Sequence, residues 1–361
     1  MRAIVTGQVG VDKGPYLEAV KQLALKNGID LHVCHIGKMM YEEAPDVPAG
    51  RILNLPISRL NTLRRAVFKE VIKAAGDHEH VLVNTHATFR WRHGLFPAFD
   101  YDQLKTFDAH TYITLMDNAE SVHQRLMRDH DIDHMLKDIM VWREEEMLAT
   151  EILANILRGH GNFFLMSRGR NTFTTETVYR LLFKQKEMKK VYLSFPMSHV
   201  MDLPNTLAEI DAFKASINEH FICFDPADVD EFVLHTTADK AQQEGRETIE
   251  IMAAEGMTTL KTAEVLQISG DIMGQIYARD FKMVDQADMI ISLVPELPNG
   301  KPGLSSGVER ELHHAFEGGK EVYVVWACKA HPSPFITETA TRVFKSTGEA
   351  IAHFKAKGYV R

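Results

Sequence analysis

Short apolar runs alternate with longer segments of helical periodicity along most of the chain. Residues 2–6 are apolar and β-branched, residues 7–14 are rich in glycine, and residues 16–25 repeat apolar positions at helical spacing. The same reading predicts strands over 31–36, 81–83, 112–116 and 163–166. It predicts an amphipathic helix over 59–75 carrying Arg64 and Arg65, a helix over 119–128, and a long charged helix over 138–157. Residues 167–190 are polar and basic, with a connecting helix over 174–186 and a boundary near Glu187.

A second series begins at Val191. Residues 191–195 read as a strand, 207–219 as a helix, 220–224 as a strand, 225–239 as a loop-rich insertion and 240–266 as a polar helical segment. The run from Met289 to Val294 is apolar, β-branched and ended by Pro295, which suits a buried strand. Ser305-Ser306-Gly307 followed by Glu309 and Glu311 suits a capped helix start. A strand over 322–326, a proline-bearing loop at Pro332 and Pro334, and a helix through Phe354 complete the chain. The fold class expected is α/β, in two domains that are each a mainly parallel sheet flanked by helices: 1–170, a linker over 171–188, and 189–361.

Composition narrows the function classes. The 361 residues are 45% hydrophobic and 25% charged, enough to bury two cores. A formal charge of −8 argues against nonspecific nucleic-acid binding, which needs a basic surface, but leaves room for a free nucleotide in a locally basic pocket. Cys34, Cys223 and Cys328 stand far apart, so neither a disulfide framework nor a zinc site is expected and a reducing compartment is. No signal-peptide pattern and no bilayer-length apolar run is seen, so the expectation is a cytoplasmic protein without a membrane partner. No His/Glu spacing recurs on one helix face, including around His123 and His313-His314, so no metal site is expected.

Gly7-Gln8-Val9-Gly10-Val11-Asp12-Lys13-Gly14 has the strand-loop-helix context of a phosphate-binding loop. Against G-x-x-x-x-G-K-[ST], Gly7 and Lys13 are in place, while Asp12 replaces the second glycine and Gly14 the metal-binding hydroxyl. Pro15 suits the first helical turn and leaves the helix N-terminus open to an anion. With strand 81–83 running into Asn84-Thr85-His86, the first 170 residues resemble archaeal-type adenylate kinases and related nucleotide kinases, in which the strand ends in Asp-Thr-His. That resemblance implies nucleotide contacts at Gly7, Gly10, Lys13 and Gly14 and lid arginines at Arg125 and Arg128. ATP is then the expected ligand and Mg²⁺ an open question, because Gly14 and Asn84 both depart from the metal contacts.

Arg279-Asp280, Gln286-Ala287-Asp288, the apolar strand, Ser305, Gly307, Glu311-Leu312 and Gly319-Lys320 resemble the nucleoside 2-deoxyribosyltransferase superfamily, most closely its 2'-deoxynucleoside 5'-phosphate N-hydrolase branch. The resemblance implies Glu311 as nucleophile, Asp280 as acid/base, Tyr192 as the tyrosine orienting the nucleophile, and Ser305, Ser306, Gly307 and Asp288 as substrate contacts. It also implies a homo-oligomer and no cofactor for that reaction. Glu309 is the rival nucleophile. Departures are His313 in place of a glycine, Glu309-Arg310 in place of a small-aromatic pair, and Phe195-Pro196-Met197 in place of glycines. The leading expectation is a nucleotide N-glycosidase fused to a degenerate P-loop domain. The alternatives are a nucleotide kinase whose C-terminal domain is a binding module, and a nucleotide sensor without catalysis.

Overall fold

A computed structural model describes residues 1–91, 94–130, 134–169, 173–197 and 200–360. The chain divides into two compact units, one of Met1–Leu182 with Val229–Gln275 and one of Phe183–Asp228 with Ile276–Arg361. Both are α/β units built on a parallel five-stranded sheet.

In the first unit the strand order is His32–His35, Val81–Asn84, Arg2–Thr6, Thr111–Met116, Phe163–Ser167. Neighbours run parallel, with Val5 opposite both Asn84 and Ile113. The central strands are apolar on both faces because helices cover both, which is why they read as continuous runs rather than alternations. The long helix Leu136–Arg158 buries Ile139, Met140, Trp142 and Leu153 on its inward stripe, together with Arg143 and Glu146.

In the second unit the order is Arg342–Phe344, Glu321–Ala327, Met289–Pro295, Lys190–Ser194, Ile222–Phe224. Here the period of two along Lys190–Ser194 has a functional consequence. Val191 and Leu193 enter a core cluster with Phe213, Phe221, Ile291 and Phe354. Tyr192 and Ser194 therefore share the opposite face.

The structure departs from the sequence reading between the two series. Residues 240–266, expected to be helical, contain an antiparallel hairpin of Thr248–Ala253 and Gly256–Lys261, and residues 225–239, expected as loop, open the helix Phe232–Gln243. Ala and Glu in this stretch suggest helix. The alternation through Ile249 and Leu260, with the turn closed by Gly256 at φ 108°, wins through burial of one face. Residues 229–275 group with residues 1–182 in the first unit, so the contiguous 189–361 expectation does not describe that unit's packing. A second hairpin, Thr88–Trp91 with Gly94–Pro97, was not anticipated. Among the described residues no helix is long and apolar enough to cross a membrane.

Candidate functional site

The loop 7–14 leaves the carboxyl end of the central strand Arg2–Thr6, where ligands bind in open parallel sheets. Gly7 has φ 145°, and a Cβ there would meet the Leu115 carbonyl oxygen at 2.5 Å. Gly10 has φ 91°, and a Cβ there would meet Val122 at 3.0 Å. Both positions demand glycine. Asp12 sits in the left-handed region at φ 58°, ψ 52° immediately before helix Lys13–Lys26. An aspartate tolerates that conformation better than most residues, and its carboxylate lies 3.2 Å from Arg168.

Lys13 is buried, and its ammonium donates to the Gly7 carbonyl and lies 3.4 Å from His86 Nδ1. Burial lowers its pKa to about 8, against the opposing carboxylates of Glu146 and Asp12. Burial, and then the neighbouring Lys13 charge, holds His86 well below the ordinary imidazole value, so it stands neutral beside the ammonium. A cavity of about 590 Å³ opens over this loop, and Lys13, Gly14, His35, Asn84 and His86 all line it. Asn84 Nδ2 lies 2.9 Å from His35 Nδ1, which ties the carboxyl ends of two adjacent strands together.

The expected lid arginines are differently employed. Arg125 is fully buried and donates to the Gly10 carbonyl at 3.0 Å and to Asp117 at 2.8 Å, so it braces the loop from behind. Arg128 is held by Asp129 and Glu255 on the surface. Neither reaches over the cavity as a lid residue; an unshielded arginine buried on the core side of its helix needs a counter-ion, and Asp117 supplies it. The residues present do not fit a protein-held Mg²⁺ site. Gly14 has no hydroxyl, Asn84 has a neutral amide, and among the described residues no group of three His, Cys, Asp or Glu converges for a metal.

The second unit carries a separate polar centre. Helix Ser306–Glu317 starts behind Ser305, whose hydroxyl accepts from Val308 N–H at 3.2 Å. In its second turn Glu311 points to the face of Lys190–Ser194. Tyr192 donates to Glu311 Oε1 at 2.9 Å and Ser194 to Oε2 at 2.6 Å. Glu311 keeps some solvent access, yet protein atoms crowd its carboxyl, and burial pushes its pKa up to about 8, with Asp280 adding to the rise. Burial also raises the Tyr192 phenol well above its usual value, helped by Glu311 and Asp280. Asp280 lies within helix Ser269–Gln286, not at its end, and accepts from Arg279 Nε at 3.1 Å.

The structure thus gathers Tyr192, Glu311 and Asp280, and leaves Glu309 exposed on another face of the helix. Ser305, Ser306 and Gly307 form the start of that helix. Asp288 is elsewhere: it accepts from Lys190 N–H at 2.8 Å and pairs with the Lys190 ammonium at 3.0 Å, at the amino ends of the strands. Its role as a substrate contact gives way to a clamp on strand pairing, because the ligand-facing end of a parallel sheet is the other one. Sequence reasoning missed Ser194 and Glu146. Ser194 was findable, two residues after Tyr192 on one strand.

The AAA domain family model matches residues 6–142. Adenylate kinase from Pyrococcus furiosus is 28% identical over 133 residues, which cover 35% of this chain and 64% of that protein. Adenylate kinase from Pyrococcus abyssi is 27% identical over the same length and shares. The chain thus spans 64% of the length of these curated relatives. Among solved structures, shikimate kinase from Bacteroides thetaiotaomicron aligns with a TM-score of 0.35 at 13% identity, covering 52% of this chain and 99% of that one. A gluconokinase from Sinorhizobium meliloti aligns at 0.27 and 12%, covering 46% and 81%. The N-terminal part is a P-loop kinase-like domain.

Proposed function

We propose that the first unit binds a nucleoside triphosphate on the Gly7–Gly14 loop and transfers its terminal phosphoryl group to a small nucleoside or nucleotide acceptor. The observation that carries this is Lys13: it is the first residue of the helix behind a glycine-constrained loop, it is buried, and it lines a cavity of about 590 Å³. Backbone N–H groups of such a loop and a helix N-terminus favour phosphate oxygens, and the lysine supplies charge where phosphoryl transfer needs it. The similarity to adenylate kinases supports the same reading. The partner is a small-molecule nucleotide, and the setting we infer is the cytoplasm. Purified chain is assayed for ADP formation against a nucleoside and nucleotide panel, with ATP affinity by calorimetry. Lys13→Ala is expected to weaken ATP binding by about 1–3 kcal/mol and abolish turnover. ATP binding without ADP formation for any acceptor would leave a sensor instead of a kinase.

A second reading belongs to the second unit, and one observation favours it: two strand hydroxyls cap both oxygens of a crowded carboxylate with another carboxylate nearby. This suits N-glycosidic cleavage of a nucleoside phosphate. Glu311 Oε attacks C1' as the C1'–N bond breaks, Asp280 supplies the proton taken by the departing base, and water then releases the sugar. Its support is geometric and motif-based, and a homo-oligomer is part of it by resemblance. Base release lost in Glu311→Ala but kept in Glu309→Ala is the expected outcome; equal losses would discard the assignment.

A further inference from the structure

Glu146 lies on helix Leu136–Arg158 with no exposed surface, yet it is a carboxylate. Its Oε1 accepts from Gly7 N–H at 2.9 Å and Ala87 N–H at 2.8 Å. Its Oε2 accepts from Thr88 N–H at 2.7 Å and Thr88 Oγ1 at 2.8 Å. Three of these donors are backbone N–H groups, those of Gly7 and Ala87 outside any strand and that of Thr88 at the start of the strand Thr88–Trp91, and all are costly to bury unpaired. Donors approach both oxygens, so the site asks for a side chain that accepts on both sides. Glutamine would turn an NH₂ toward one of them.

Two segments meet on this one carboxylate: the first residue of the phosphate loop, and residues 85–88, which carry His86. We propose that Glu146 is a positioning residue of the phosphate loop, fixing Gly7 against the His86 segment and acting as the internal counter-ion that keeps Lys13 cationic for a nucleotide phosphate. This rests on the nucleotide-binding reading of the first unit.

The charged surroundings of Lys13 agree with that role. His86 Nδ1 lies 3.4 Å from the Lys13 ammonium and 4.0 Å from Glu146 Oε1, so the carboxylate stands just behind the ring that Lys13 meets; burial opposes the Lys13 charge, and Glu146 and, after it, Asp12 from the loop favour it. Asp12 turns its carboxylate toward Arg168, which shares its charge. His86, from the segment after the third strand in sequence, faces Lys13 as a neutral ring, kept so by burial and by Lys13, Arg64 and His130. Removing the Glu146 charge therefore lowers the pH at which Lys13 loses its proton.

The test is ATP affinity measured by calorimetry from about pH 7 to 9.5 for the wild type, Glu146→Gln and Lys13→Arg, each checked for folding by circular dichroism. In the wild type, affinity is expected to fall as pH rises through about 8. In Glu146→Gln the mismatched amide loosens the loop at every pH and the fall also moves to lower pH, so the deficit present at the acid end grows by about tenfold more near pH 8. Lys13→Arg, whose guanidinium stays charged, should flatten the profile. A deficit equal at every pH would reduce Glu146 to a structural part and overturn the proposal. If Glu146→Gln does not fold, Glu146→Asp keeps the charge and must keep the wild-type midpoint; loss of folding in both variants would assign Glu146 to the core and overturn the proposal as well. No ATP binding by the folded wild type removes the reading beneath it, a result distinct from all of these.

Discussion

Ser194→Ala isolates the contribution of one hydroxyl to the carboxylate centre. The serine is fully buried and its hydroxyl is 2.6 Å from Glu311 Oε2, a short bond to a crowded, ionisable group. A hydrogen bond to a charged acceptor is worth about 1.5–3 kcal/mol, and about 1.4 kcal/mol corresponds to one pH unit, so losing it moves Glu311 ionisation up by about one to two pH units. With the carboxyl at about 8, roughly one molecule in ten is ionised at pH 7 in the wild type. In the variant the fraction falls about 10–100-fold, and base release at pH 7 should fall with it. At alkaline pH, where both proteins are ionised, the rates should converge. The assay is kcat/KM for base release across pH, with thermal melting as the control for folding. Tyr192→Phe should shift the profile less, because the Ser194 bond, at 2.6 Å, is shorter than the Tyr192 bond at 2.9 Å. Equal loss at every pH, or a larger shift in Tyr192→Phe, would refute the reasoning.

Two further outcomes follow, one at each site. Glu311 has its pKa raised in the fold from an ordinary 4.5 to about 8, so the native state holds a proton that the unfolded chain releases; its neutral form is tolerated below 4.5, and stability drains away as pH rises through about 8. Glu311→Gln should therefore melt higher than the wild type at about pH 8.5 and show little difference near pH 4.5, by calorimetry; a lower melting point at both pH values would contradict it. A Cβ at Gly14 meets nothing within 4 Å and the residue lies in a helix, so Gly14→Thr should fold at least as well as the parent. By restoring a metal-binding hydroxyl it should raise Mg²⁺-dependent ADP formation about tenfold or more, and an unchanged rate would show that the missing hydroxyl does not limit the reaction.

Much of the fold was legible. Strands such as Arg2–Thr6 and Met289–Pro295 are short, apolar, β-branched runs whose burial on both faces leaves no other reading, and Ser305 announces its helix through its cap. The hairpin at Thr248–Lys261 was hidden because only Ile249, Ala253 and Leu260 are buried there, too few to outweigh helix-favouring Ala and Glu. The Tyr192–Glu311 pair was visible only through the family resemblance of the two positions, and the hydrogen bond between them joins residues far apart in sequence. Glu146 was not, since it stands in a run of three glutamates and only tertiary packing decides which one turns inward. Arg125 and Arg128 misled for the same reason: an arginine-bearing helix looks alike whether its charges face a ligand or the core.

The discontinuity of the first unit bears on how the chain is made. Glu231 is fully buried, accepts Ala119 N–H at 2.8 Å and holds Arg143 through bonds of 2.7 and 2.9 Å. Until residue 231 leaves the ribosome, the buried Arg143 has no such counter-ion, and an uncompensated buried charge costs about 3–5 kcal/mol. The phosphate loop is therefore synthesised first but stabilised late, after the opening strand of the other unit has already emerged. A chain stopped at Leu182 carries every residue of the nucleotide cavity and still lacks part of what keeps it folded.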